Sequence, residues 1–262
     1  MTGRPGFAAA TGVALAAFCA GAVLPGGGAA ASAGAEGPAT ERPAGASAAP
    51  APRVQAMVAG RTRVLRPATS VVARAVRVRV GRRRCAVAAG TPIAALAALR
   101  TPSFAVRDFG GCSSRSPAAS ELLYVTRIGA ERARGTSGWV YKVGRRALSL
   151  GGANPRARVR ASARVLWFYC RMGAVGCQRT LEVAGPARAA PGALVRLAVR
   201  GYDDRGRGVA IAGARVRFAG ASATTAADGT VTMTAPAGPG RPRAVADRPG
   251  LVPSFPFEVR VG

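Results

Sequence analysis

Val165-Leu166-Trp167-Phe168-Tyr169-Cys170 is a charge-free apolar run, and its surroundings carry the first reading of the fold. A loop with Gly173 and Gly176 follows, then Cys177-Gln178-Arg179-Thr180-Leu181-Glu182-Val183, where apolar and polar residues begin to alternate. Alternation marks a half-buried strand, and a Gly-bearing loop between two such runs marks a hairpin. The stretch therefore reads as a β-hairpin stapled at its base by Cys170 and Cys177, because facing residues of a non-hydrogen-bonded pair stand close enough for a disulfide. Cys19 lies in an amino-terminal apolar segment, which leaves Cys85, Cys112, Cys170 and Cys177. Four cysteines allow three pairings. With Cys170–Cys177 in the hairpin, Cys85–Cys112 follows by elimination. There is no C-x-x-C spacing to suggest zinc or a redox pair, and an even number of cysteines behind an apolar amino-terminal segment favours disulfides.

Upstream, Val54 to Val80 holds short alternating stretches, clearest at Val76-Arg77-Val78-Arg79-Val80. Thr91-Pro92 opens a helix, with Thr91 as N-cap, Pro92 at the first helical position and Ile93 to Leu99 behind them. Thr101-Pro102 is expected to end it. Phe104–Phe109 and Leu122–Ile128 read as strands. In Gly138-Trp139-Val140-Tyr141-Lys142-Val143-Gly144 the period of two puts Trp139, Tyr141 and Val143 on one face. Arg156-Ala157-Arg158-Val159-Arg160 alternates again and reads as a further strand.

Tyr124-Val125-Thr126-Arg127-Ile128-Gly129, the Gly138–Gly144 strand and Val165–Tyr169 together resemble the transcobalamin-like C-terminal domain family. The resemblance covers about half the chain, residues 54–183. It implies a small α+β domain, rich in β, with one helix where Pro92–Leu99 stands. In animal carriers this domain caps cobalamin; in bacterial exported proteins its role is mostly unassigned. The chain departs from the family's pattern at Val143-Gly144-Arg145, which lacks an Asn, and at Ser162-Ala163, where Gly-Asp is usual. On the resemblance, Trp139, Tyr141, Trp167 and Tyr169 form a candidate stacking platform for a corrinoid-like small ligand. On general grounds large aromatics in a small domain belong to its core.

Residues 184–262 contain no cysteine. Strand-like runs recur at Leu194–Val199, Ala214–Phe218, Gly229–Thr234, Ala244–Ala246 and Phe255–Val261, separated by turns at Asp203-Asp204-Arg205-Gly206, Asp228-Gly229 and Gly238-Pro239-Gly240. Regular short strands between Gly/Pro turns argue for a β-sandwich. Gly213-Ala214-Arg215-Val216 leading to Thr225-Ala226-Ala227-Asp228-Gly229 resembles bacterial immunoglobulin-like or carboxypeptidase-regulatory-like modules. The fold class expected for the chain is mainly β: a small α+β transcobalamin-like domain with one helix, plus an immunoglobulin-like β-sandwich. Asp203, Asp204 and Asp228 are read as turn formers rather than calcium ligands.

Residues 1–35 read as an export signal: Arg4, an uncharged apolar stretch Phe7–Leu24, then Pro25, glycines and small-x-small patterns at Ala31-Ser32-Ala33 and Ala33-Gly34-Ala35. An uncleaved anchor is the alternative, with a stretch barely long enough to span. Residues 36–53 read as a flexible Ala/Pro linker. The expected location is secreted, extracellular or associated with the cell envelope, with no integral span after signal cleavage.

The chain of 262 residues has 38 Lys and Arg against 11 Asp and Glu, a net charge of +27, and no histidine. Lys142 is its single lysine. The wealth of Ala, Gly, Pro and Arg matches GC-rich codons, so part of the arginine excess is mutational. Without histidine there is no Ser-His-Asp or Cys-His nucleophile system, no His-ligated zinc and no imidazole proton shuttle. The scattered acids do not suggest a paired-carboxylate hydrolase, and neither G-x-S-x-G nor a P-loop is present. No catalytic residue, metal site or cofactor is expected. Residues 54–183 hold 24 basic and 4 acidic residues, whereas 184–262 hold 11 and 5. Under one codon bias, that asymmetry points to a functional charge on the first part. Arg77, Arg79, Arg82, Arg83, Arg84, Arg156, Arg158 and Arg160 are the candidate polyanion-binding residues, and the other reading is a solvated face. The expected function is that of a non-enzymatic exported binding module for an anionic cell-envelope polymer or polysaccharide. Export argues against nucleic acid as the partner in vivo. A corrinoid-like small-ligand carrier or capping domain is the alternative.

Overall fold

The computed structural model describes residues 50–100 and 103–262. The expected signal segment, Cys19, the linker up to residue 49 and the helix stop at Thr101-Pro102 lie outside the described residues. Arg53, the last residue of the expected linker, already belongs to a strand.

The amino-terminal lobe runs β1 (Arg53–Ala59), β2 (Val64–Val72), β3 (Val76–Val80), β4 (Arg83–Val87), α1 (Pro92–Ala98), β5 (Phe104–Asp108), β6 (Leu123–Ile128), β7 (Glu131–Arg132), β8 (Gly138–Val143), β9 (Arg146–Ala147) and β10 (Arg164–Cys170). A five-stranded sheet has the order β2-β1-β10-β8-β9; β3-β4 forms a hairpin and β5-β6-β7 a third sheet. Helix α1 starts where expected. The Thr91 hydroxyl accepts from the Ala94 N–H at 3.3 Å and donates to the Ala88 carbonyl at 2.9 Å. It buries Ile93, Leu96 and the capping Leu99 against the large sheet.

Strand β10 explains its own sequence. It lies parallel to β1 and antiparallel to β8, so both edges are taken. Val165, Trp167 and Tyr169 enter the core shared with α1, while Leu166, Phe168 and Cys170 enter a second cluster on the opposite face. A strand covered on both faces reads as a continuous apolar run. With no free edge, β10 cannot pair with the next strand, and the expected hairpin is not formed. Residues 171–179 instead turn a corner into the other lobe. The disulfide Cys170–Cys177 is present all the same, and so is Cys85–Cys112.

Residues 156–160 also differ from expectation. Asn154 Oδ1 accepts from the Arg156 N–H at 2.8 Å and starts a short 3-10 turn, Pro155–Ala157, in place of a strand. The alternation survives in burial: Ala157 and Val159 are inside, and Arg156, Arg158 and Arg160 are exposed.

The carboxy-terminal lobe runs β11 (Thr180–Ala184), β12 (Arg188–Ala189), β13 (Leu194–Tyr202), β14 (Gly208–Ala210), β15 (Arg215–Phe218), β16 (Ala221–Thr224), β17 (Thr230–Thr234), β18 (Arg243–Asp247), β19 (Phe257–Glu258) and β20 (Arg260–Val261). Strand β13 pairs with β11, β14 and β17, and a second sheet has the order β16-β15-β18-β19. Val195, Leu197 and Val199 of β13 meet Val216 and Phe218 of β15 and Ala244 and Ala246 of β18 in one core. Among the described residues the fold is thus mainly β, with one α-helix and several sheets.

A third cluster joins the lobes. Met57, Ala59, Leu166, Phe168 and Cys170 from the large sheet pack with Cys177, Val252 and Phe255. The described residues accordingly fall in a single compact unit.

Candidate functional site

The arginines of the first lobe begin on the β3-β4 hairpin. Its register opposes Val78 to Cys85, Arg79 to Arg84 and Val80 to Arg83, across a tight turn at Gly81, whose φ is 58°. Side chains alternate between faces. Val78 and Cys85 point inward, so Arg77, Arg79 and Arg84 share the outer face and all are exposed. Arg79 and Arg84 stand directly opposite each other. Like charges in that position destabilise a sheet. Among the described residues none of Arg77, Arg79, Arg82 or Arg84 has an acidic partner within ion-pair distance.

Arg83 is placed apart from them. Its side chain, 65% exposed, lies 3.7 Å from Asp108, whose side chain is 2% exposed. Asp108 accepts from the Gly110 N–H at 3.0 Å and the Cys112 N–H at 2.9 Å. The Cys112 N–H, the Gly110 N–H and the Arg83 guanidinium hold this carboxyl below the usual range, against the opposing effect of burial. Cys112 is in turn bonded to Cys85, and the Ala86 N–H donates to the Ser113 carbonyl at 2.8 Å. The loop 108–113 is therefore pinned beneath the hairpin. Arg156, Arg158 and Arg160 lie on a different segment, which the Val159 N–H ties to the Gly90 carbonyl at 2.7 Å.

The four candidate aromatics are all buried. The Trp139 indole donates to the Glu131 carbonyl at 3.0 Å, the Tyr141 hydroxyl to the Leu150 carbonyl at 2.8 Å and the Trp167 indole to the Pro92 carbonyl at 3.0 Å. The Tyr169 hydroxyl accepts from Arg61 Nη2 at 2.7 Å, and the Arg61 guanidinium lies 4.2 Å from that ring's centre. Burial pushes the Tyr141 phenol up to about 12. A cavity of about 140 Å³ touches Tyr124, Trp139, Tyr141, Leu148, Leu150 and Trp167. That is below the ~300 Å³ at which small-molecule pockets begin. At Gly152 a Cβ would come within 2.8 Å of the Trp167 ring, so this loop closes directly onto the indole.

One residue with a decisive role was not singled out as a site in the sequence. Lys142, on the face of β8 opposite to Trp139 and Tyr141, is 0% exposed and reaches the other lobe. Its ammonium donates to the Tyr202 carbonyl at 2.9 Å, the Asp203 carbonyl at 2.9 Å and the Thr180 hydroxyl at 3.3 Å, and Asp204 lies 3.7 Å away. Burial pulls its pKa below the ordinary lysine value, with Asp204 and Asp203 opposing that shift. Three donors on a compact centre suit this cage, whereas a planar guanidinium does not. The signal in the sequence was rarity: this is the only lysine beside a wealth of arginine. Arg145 adds a second bridge, donating to both oxygens of Glu182 at 2.8 and 2.9 Å. Glu182 is held below the usual carboxylate range by that bond to Arg145.

The carboxy-terminal acids fill structural places. Asp203 Oδ1 accepts from the Arg205 and Arg207 N–H groups, and Asp228 from the N–H and hydroxyl of Thr230. Among the described residues no group of three or more Cys, Asp or Glu is arranged to hold a metal. Among the described residues no helix is long and apolar enough to cross a membrane. The chain matches no family model, no curated protein and no solved structure.

Proposed function

We propose that the chain is a non-enzymatic, exported binding module that engages an anionic polymer of the cell envelope or its surroundings through the basic amino-terminal lobe. The observation that carries this reading is the outer face of the β3-β4 hairpin. Arg79 and Arg84 oppose each other beside Arg77, with no acid in reach among the described residues. A sheet that keeps like charges in register forgoes stability that a phosphate- or carboxylate-bearing partner would restore. Export is supported by two disulfides, which persist in oxidising compartments, and by the signal-like segment at residues 1–35. The carboxy-terminal lobe then acts as spacer and support for the large sheet.

The test is co-sedimentation of the mature protein with envelopes of its producer at low and high salt. Pelleting at low salt that is lost at high salt is the expected result. Arg79→Glu with Arg84→Glu should abolish it, and Arg156→Glu, Arg158→Glu and Arg160→Glu together show whether the second group shares the contact. No pelleting at low salt overturns the reading.

A further inference from the structure

We infer that the outer face of β5 and β6 is a sugar-stacking platform continuous with the basic hairpin, and that the anionic partner is a polysaccharide bearing carboxylates on its rings. The inference rests on the polyanion reading above and names the class of polymer.

Strands β5 and β6 pair with Arg107 opposite Tyr124 and Asp108 opposite Leu123, and the Phe109 N–H continues the ladder to the Leu122 carbonyl at 3.1 Å. Leu123 and Val125 face the core. The alternate residues are left on the outer face, where Phe109 is 58% exposed, Tyr124 42% and Leu122 39%. Among the described residues most large apolar side chains are buried, so three together on one exposed face call for an occupant. The Phe109 and Tyr124 rings meet edge to face, with centres 5.4 Å apart and planes at 80°. This makes a corner rather than a parallel slot. A flat base needs a slot or an open stack, whereas a puckered sugar ring can lay its C–H face on Tyr124 with its rim against Phe109.

The charges at the corner match a uronic-type ring. The Arg107 guanidinium sits 4.9 Å from the Phe109 centre and is exposed, so it is oriented by the ring while keeping donors free. A planar guanidinium held in this way binds a carboxylate by two parallel hydrogen bonds. The corner is also joined to the hairpin. Asp108, next to Phe109, is the partner of Arg83, and Cys112 is bonded to Cys85. These contacts fasten the β5-β6 pair to the hairpin within one lobe, and the proposed path of the polymer runs from Tyr124 towards Arg79 and Arg84.

The experiment titrates the full mature chain with three probes: polygalacturonate, which has carboxylated sugar rings; inorganic polyphosphate, which has charge without rings; and single-stranded DNA. The platform predicts that Tyr124→Ala and Phe109→Ala each weaken polygalacturonate binding about tenfold, the equivalent of one lost stacking contact. Polyphosphate binding should stay unchanged, and Tyr124→Phe should bind as the parent does. Unchanged thermal midpoints show that these exposed variants fold. Loss of both ligands in Arg79→Glu/Arg84→Glu, with no effect of the ring variants on polygalacturonate, overturns the platform and leaves the polyanion reading standing. Tighter, Tyr124-dependent binding of DNA overturns the choice of polymer. A parent protein that binds none of the three overturns the polyanion reading itself.

Discussion

The two lobes handle the same arginine-rich composition in opposite ways. In the carboxy-terminal lobe six of the eleven cations are ion-paired: Arg196, Arg207, Arg215, Arg217, Arg241 and Arg243, on Asp228, Asp203, Asp247 and Glu258. Among the described residues of 54–183, only Arg83, Lys142 and Arg145 of the 24 cations are paired. Lys142 reaches an acid of the other lobe, and Arg145 reaches β11. A codon bias acts on both halves alike, so it cannot by itself leave one set neutralised and the other bare. What differs is the supply and placement of acids: in the first lobe Asp108 pins a loop, and Glu182, on β11 of the other lobe, closes the seam with Arg145.

That contrast can be broken at several points. The largest effect is expected from the first lobe's own staple. Replacing Cys85 and Cys112 together by Ser removes a cross-link between residues 27 apart. It should lower stability by about 3–4 kcal/mol on loop entropy, measured by urea unfolding. The Cys170/Cys177 double variant, with residues only 7 apart, should lose about 2 kcal/mol. Equal losses would mean that the corner between the lobes matters beyond its loop length.

The seam comes next. Lys142→Met keeps the stem and leaves two carbonyls and Asp204 without their cation, for an expected loss of about 3 kcal/mol. Lys142→Arg, though conservative in charge, should lose about 1–3 kcal/mol because a planar fork does not match acceptors that converge on one point. A neutral Lys142→Arg would mean that the single lysine carries no structural demand.

A smaller and opposite effect is expected at Ser162, which holds a left-handed φ of 64° just before β10. Ser162→Gly should stabilise by about 1 kcal/mol, readable as a rise in thermal midpoint. Smallest of all, Arg215→Ala on the paired lobe should change stability by less than about 1 kcal/mol, as exposed ion pairs do.

Acid should weaken the fold through carboxylates of both lobes. Asp108 and Glu182 have folded-state pKa values below their unfolded ones. Such groups stabilise the fold fully above the ordinary carboxylate pKa of about 4 and lose that contribution as pH falls through the folded value. Stability should therefore be flat from neutrality to about pH 5 and fall below it. Asp108→Asn should remove part of that fall, as followed by fluorescence of the buried tryptophans.

Local chemistry was legible from residues alone. The Thr91 cap, the Val76–Val80 alternation, the shared face of Trp139 and Tyr141 and the carboxy-terminal strands rest on short-range periodicity and turn residues and stand in the structure, except that Phe255–Val261 divides into β19 and β20. The Arg156–Arg160 alternation misled, because Asn154 and Pro155 impose a tight turn while burial still alternates. The hairpin misled for a longer-range reason. An apolar run is compatible with a hairpin arm or with a central strand, and only the partners supplied by β1 and β8 decide between them. The exposed Phe109 and Tyr124 could not be told from core aromatics, because their exposure depends on which face of β5-β6 the rest of the lobe covers.

The sequence by itself determined a mainly β chain with one short helix, two cysteine pairs, the absence of histidine chemistry and the lopsided charge. These follow from composition and from interactions within a few residues of one another. The tertiary structure alone decided that β10 is central, that Lys142 bridges the lobes, and that Phe109 and Tyr124 meet on an exposed face. Those facts depend on contacts between segments distant in the chain, where every apolar face has several possible partners and only packing of the whole chain selects one.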